Sequence, residues 1–183
     1  MERLHYPPIK QFRVQRGSCE VTDAWSVAKV GLSSPAIEVM TDLRRIPAAT
    51  IGHDVSLAET NHSMILRSVR LLFVTDANKR VAGIVTASDL LGEKPTRVAR
   101  ERMMRHEELT VSDIMTATDE MDAVSLEDVL RSEVGHVVAT LKACGRQHAL
   151  VVDTDPDTGK VAVRGIFSLS QIGQQRGLEI QPQ

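Results

Sequence analysis

A chain of 183 residues can hold one compact domain or two small ones sharing a core. Its 22 basic and 24 acidic residues leave a net charge of -2, which gives no global reason for a nucleic acid or an anionic membrane as partner, and 3% aromatics leave little for stacking single-stranded bases. Cys19 and Cys144 lie far apart and match no metal spacing, no apolar run approaches the ~18 residues of a membrane span, and the first residues lack an apolar signal core, so a cytoplasmic protein is expected.

Residues 1–34 form an N-terminal extension in which Pro7, Pro8 and Gly17, with Ser33-Ser34-Pro35 at its end, break any long periodicity. From Pro35 a helix is predicted with Ile37, Met40 and Leu43 on one face, ended by Pro47 and followed by a strand over 48–51. Ser56 is placed to cap a helix bearing Leu57, Met64 and Ile65. Leu71 to Val74 reads as a buried strand, the turn chemistry of Asp76 to Lys79 makes a hairpin with Val81 to Val85, and Thr86 starts a helix. Residues 94–108 carry Lys94, Arg97, Arg100, Arg102 and Arg105 and read as a solvated linker helix, with anion or nucleic-acid binding as the alternatives. The order then repeats: a short helix over 111–115, a strand over 123–125, a helix containing Val137, Val138 and Leu141, strands over 149–152 and 161–167, and a helix from Ser168. The division is thus 1–34, 35–93, 94–108, 109–178 and a tail 179–183, with each module of about 60 residues marginal for an independent core and expected to pack against the other.

An internal echo supports the two modules. Val81-Ala82-Gly83-Ile84-Val85-Thr86-Ala87-Ser88-Asp89 is matched by Val163-Arg164-Gly165-Ile166-Phe167-Ser168-Leu169-Ser170-Gln171, and each copy follows an apolar run ending in aspartate, Asp76 or Asp153. Seven positions separate Asp76 from Gly83 and twelve separate Asp153 from Gly165, so the second turn is five residues longer.

Thr86 with Asp89, and Ser168 with Gln171, are spaced as capping boxes, and capping alone accounts for both pairs. It does not require the intervening hydroxyls Ser88 and Ser170. Two hydroxyls, helix-start amides and a carboxylate also suit a sugar diol with its phosphate, Asp89 accepting from the ribose hydroxyls.

The duplicated hairpin and its Gly-Ile-(Val/Phe)-(Thr/Ser)-x-Ser-(Asp/Gln) ending resemble a tandem pair of cystathionine-β-synthase (CBS) domains over residues 36 to 177. The resemblance implies an α/β (α+β) fold, two pseudo-twofold-related domains, each helix-strand-helix-strand-strand-helix, packed sheet to sheet as a Bateman module. It implies clefts for AMP, ADP, ATP or S-adenosylmethionine, a regulatory rather than catalytic role toward another protein, and a homodimer. By position it assigns Thr86, Ser88, Asp89, His53, Ala58, Val69 and Arg70 to the nucleotide site. Gln171 replaces the diol-binding aspartate in the second copy, so Ser168, Ser170 and Gln171 form a degenerate site expected to be empty or weak. A module that has lost its ligand and serves as a dimerisation or partner-binding scaffold is the alternative. Ile37, Met40, Leu90, Leu91, Met103, Met104, Ile114, Met115 and Ile172 are the apolar side chains offered to a second copy.

Other motifs carry no site. Asp153 to Gly159 has its glycine one position late for a calcium loop and Arg164 in place of the final glutamate, so it reads as a polar hairpin turn. His5, His53, His62, His106, His136 and His148 show no metal-ligand spacing, and no nucleophile and base stand together, so neither a metal nor catalysis is expected.

Overall fold

The computed structural model describes residues 30–175 together with residues 10, 11, 13, 15 and 16. The expectations for most of the N-terminal extension, for Cys19 and His5, and for the tail lie outside the described residues.

Two four-stranded sheets form the frame. In the first, β2 (Thr50–Gly52), β3 (Leu71–Thr75), β4 (Val81–Thr86) and β5 (Thr116–Ala117) lie in that order. The second runs β1 (Thr41–Asp42), β8 (Val161–Ser168), β7 (His148–Thr154) and β6 (Ala123–Ser125). The copies agree down to a bulge, between Val74 and Thr75 in one hairpin and between Val151 and Val152 in the other. In β3 the alternation is read on both faces: Phe73 points between the sheets, whereas Leu72 and Val74 point to the helices. Phe73, Ile84, Leu150 and Ile166 join the two sheets face to face, as the resemblance implies. Each such burial is worth about 1.5–3 kcal/mol.

The outer faces carry helices. Over the first sheet lie α1 (Leu57–Leu66), α2 (Ala87–Leu91), α3 (Lys94–Glu101) and α4 (Val111–Ile114), which bury Leu57, Met64, Leu90 and Ile114 on Leu72 and Val85. Over the second lie α5 (Leu126–Leu130), α6 (Val134–Ala143) and α7 (Leu169–Gln175).

The edge strands are exchanged. β5 follows the linker yet closes the first sheet, pairing Gly83 with Ala117 and Ile84 with Thr116. β1 precedes the first sheet yet closes the second, pairing Thr41 with Ile166 and Asp42 with Gly165. The sheets therefore do not follow the division 35–93 and 109–178, because each lead-in segment edges the other module's sheet. The repeated glycine follows from that: a Cβ on Gly83 would lie 2.4 Å from the Thr116 carbonyl oxygen, and one on Gly165 would lie 2.7 Å from both Met40 Sδ and the Thr41 oxygen.

The helix predicted from Pro35 is a 3-10 turn over Ala36–Val39, after which Met40 is extended and feeds β1. β-branched Thr41 favours that extension, and the Ala36 amide, which would have no acceptor within a first helical turn, donates to the Ser132 carbonyl. Ile65 is exposed at the end of α1 rather than on its buried face. Of the side chains offered to a second copy, Met40, Leu90, Ile114 and Ile172 are consumed in the protomer's own core, whereas Leu91 and Met103 are exposed. The linker helix is α3 alone, ended before Met103, whose φ is +54°. Val98, Ala99 and Met104 seat the segment on the first core, so it is docked rather than free in solvent. Arg97, Arg102 and Arg105 pair with Glu101, Asp113 and Glu108, which leaves little of a basic face.

Candidate functional site

Thr86 ends β4 in an extended conformation and caps α2. Its Oγ1 accepts from the Asp89 amide at 3.2 Å, and Asp89 Oδ2 accepts from the Thr86 amide at 2.9 Å and from Thr86 Oγ1 at 2.7 Å. The box is closed. Asp89 Oδ1 faces Lys94 Nζ at 3.4 Å, and that ammonium also reaches the Met115 carbonyl at 3.5 Å. Arg70 joins the group through its backbone, its carbonyl accepting from the Ala87 amide at 2.9 Å, while Val69 is half-buried against the first core. Ser88 is exposed one residue from Asp89. One end of the first sheet therefore gathers Val69, Arg70, Thr86, Ser88 and Asp89. It adds Lys94 and Met115, which the spacing of the motif did not point to.

His53 and Ala58 are not part of that group. The His53 amide donates to Thr75, whereas Thr86 pairs with Leu71, so the length of β3, about 13 Å for four residues, separates them. The parallel crossover from β2 through α1 starts its helix at the far end of the sheet, and Ala58 lies exposed in that first turn.

The second copy is built differently. The Gln171 amide reaches Ser168 Oγ at a long 3.5 Å, and Ser168 and Ser170 hydroxyls lie 3.0 Å apart. Gln171 Oε1 accepts instead from Thr41 Oγ1 at 3.2 Å. Only half of the expected box is present, because the longer side chain reaches over to β1.

A further capping box tests how much the motif says. Thr110-Val111-Ser112-Asp113 repeats the pattern Thr86-Ala87-Ser88-Asp89, closes the same two bonds to its carboxylate at 2.8 and 3.1 Å, and pairs that carboxylate with Arg102. The hydroxyl pair alone is therefore a helix start. What distinguishes Asp89 is its neighbourhood.

That neighbourhood includes His148, the first residue of β7, which stands where Leu71 stands in the first sheet. Burial holds its imidazole below the usual range, against the opposing pull of the Asp89 carboxylate. The unfolded chain thus takes up this proton first. Stability is fully present above the ordinary value of 6.5 and declines as pH falls through it toward the lowered folded value. His148→Leu, which copies the first sheet, is expected to flatten the dependence as pH falls below 6.5. Denaturant midpoints across that window check it, and an unchanged slope in the variant would contradict the assignment.

Asp42 and Arg164 make a second charged feature, on the edge pair β1 and β8. The guanidinium binds both carboxylate oxygens, Nη2 to Oδ2 at 3.1 Å, and holds the Asp42 carboxyl below the usual range, with a backbone hydrogen bond from Arg44 adding to it. Ala117 and Ala82 occupy the corresponding places in the first sheet. Arg164 also lines a cavity of about 150 Å³ with Leu43, Arg44 and Asp153, and a second cavity of about 160 Å³ lies under α5 and α6. Neither is lined by Thr86, Ser88 or Asp89.

The loop from Asp153 to Gly159 is the polar turn expected, Asp155 accepting from the amides of Asp157 and Thr158. Among the described residues no group of three His, Cys, Asp or Glu could hold a metal ion, and no helix is long and apolar enough to cross a membrane.

No protein-family model and no curated protein matches the chain. Solved structures do match in shape. An uncharacterised conserved protein from Pyrococcus horikoshii is 20% identical, with a TM-score of 0.55 over 83% of this chain and 98% of its own. A CBS-domain-containing protein from Agrobacterium tumefaciens is 21% identical, with a TM-score of 0.53 over 80% and 96%. The CBS domain of a bacterial CNNM/CorC family Mg2+ transporter, in complex with an inhibitor, is 20% identical, with a TM-score of 0.54 over 82% and 80%.

Proposed function

We propose that this chain, which has the fold of a tandem CBS pair, is a non-catalytic regulatory module that takes an adenosine ligand at the Asp89 end of its first sheet. The observation that carries the reading is the state of the Asp89 carboxylate. One oxygen is fixed by the capping box, and the other is held only by a loose, partly exposed contact to Lys94. A ribose diol would replace Lys94 at Oδ1, and the released ammonium would stay within reach of the ligand's phosphate, with Ser88 beside it. AMP, ADP, ATP and S-adenosylmethionine all carry that diol. They differ in the charge presented to Lys94, with S-adenosylmethionine lacking a phosphate.

A second reading, a scaffold without ligand, is favoured by the same contact, since Lys94 already neutralises Asp89 much as Arg102 neutralises Asp113. Calorimetry with the four ligands separates the two. Binding between micromolar and millimolar, about -8 to -4 kcal/mol, is expected for a sensor of abundant metabolites. Flat titrations with all four up to about 5 mM would leave the scaffold.

A further inference from the structure

One helix, α1, follows β2 in the first module, whereas two, α5 and α6, follow β6 in the second. Fifteen positions separate Ser56 from Leu71 and twenty-three separate Ser125 from His148, so the second copy carries eight more residues between cap and strand. The cavity of about 160 Å³ lies between these two helices and the sheet. We infer that it is a binding site for a small apolar α-amino acid of about leucine size, separate from the Asp89 end.

Val137, Leu141, Ala149 and Phe167 make the floor, all of them buried and apolar. A cavity of about 150 Å³ with such walls is large enough for a benzene-sized body. The rim is polar and carries both signs of hydrogen bond. Asp128 Oδ2 accepts from the Ser125 hydroxyl, and among the described residues it has no cation partner, whereas neighbouring Glu127 is paired with Arg131 at 2.6 Å. Its carboxylate is therefore suited to an ammonium group. His136 accepts from the Glu133 amide at Nδ1, 3.1 Å away, so a neutral imidazole carries its proton on Nε2 and can donate it to a carboxylate. Ser132 and Thr140 line the same rim, the Thr140 hydroxyl donating to the His136 carbonyl at 2.8 Å. An apolar body with an ammonium and a carboxylate at one end uses all of these.

The place also has an outlet. At the junction of α5 and α6 the Ser132 carbonyl accepts from the Ala36 amide and the Val134 amide donates to Ser34, both at 2.9 Å, so a ligand that moves the helices acts on the segment leading to β1.

The test is an amide-shift titration of the full chain with L-leucine, isopentylamine and 4-methylpentanoate. Leucine is expected to shift Ser132, His136 and Ala149 saturably. Each half-ligand and the Asp128→Asn variant should bind about fivefold more weakly or worse. Ala149→Val should abolish the shifts by filling the floor, its melting curve reporting that it folds, and Asp128→Asn carries the test if it does not. Absence of saturable shifts at about 20 mM leucine, shifts centred on Asp89, isopentylamine binding as well as leucine, or indifference to Asp128→Asn would each overturn the inference.

Discussion

Gly83→Val is expected to unseat β5 and to lower the melting temperature by up to about 10 °C. The new Cβ would stand 2.4 Å from the Thr116 carbonyl oxygen and 3.1 Å from the Ala117 Cα, and both are backbone atoms with no rotamer through which to withdraw. Overpacking of this kind costs about 1–3 kcal/mol, and each kcal/mol moves the midpoint of a chain this long by roughly 2–4 °C. Gly165→Val should behave alike, although there Met40 Sδ can move and only the Thr41 oxygen cannot. Ala82→Val, one residue earlier on β4, already has its Cβ and should cost little. Thermal melts of the three decide it, and a Gly83→Val protein that melts with the wild type would mean that β5 is not seated against β4.

Asp89→Ala is expected to weaken the adenosine ligand ten- to a hundredfold. A carboxylate that accepts from a sugar contributes about 1.5–3 kcal/mol, whereas the broken cap costs nearer 1 kcal/mol of stability. The fold supplies its own control, because Asp113 sits in an equivalent box. Asp113→Ala should lose the same cap and keep the affinity. If both variants bind equally, whether both weak or both unchanged, the carboxylate at Asp89 has no role beyond its helix start.

The repeat made the two hairpins legible, because Gly-Ile with an apolar run before it is a local pattern and the hairpin is a local structure. Ser56, Thr86 and the turn after Asp76 were readable for the same reason. β1 and β5 were not. A strand of two residues has no alternation to read, and its partner lies more than a hundred residues away in one case. The hint was present in Val39-Met40-Thr41 and Ile114-Met115-Thr116, which echo each other ahead of the two edges. The junction of α5 and α6 was hidden because amides and carbonyls of Leu32, Ser34 and Ala36, not a local breaker, fix it. At the candidate site, residue type was enough for Thr86 and Asp89, whose bonds are within one turn. It was not enough for His53 and Ala58, whose end of the sheet is set by chain direction, nor for Gln171, whose side chain is long enough to choose Thr41.

The exchange of edges bears on the order in which the molecule can be made. As the chain leaves the ribosome, the first sheet has all four of its strands once Ala117 has emerged, and it can close while synthesis continues. Thr41 and Asp42 must wait for Gly165 and Ile166, so the earliest of the described strands to appear is among the last to find its place. Closing a loop of that length carries a modest entropic cost, but it delays the contact, and meanwhile the buried faces of Val39 and Met40 have only solvent or a chaperone to meet. Translation halted between Ala117 and Gly165 would therefore yield a half-closed chain with one finished sheet and an unpaired strand at its front, a species that a protease added to stalled ribosomes would nick near Thr41 and not near Thr116.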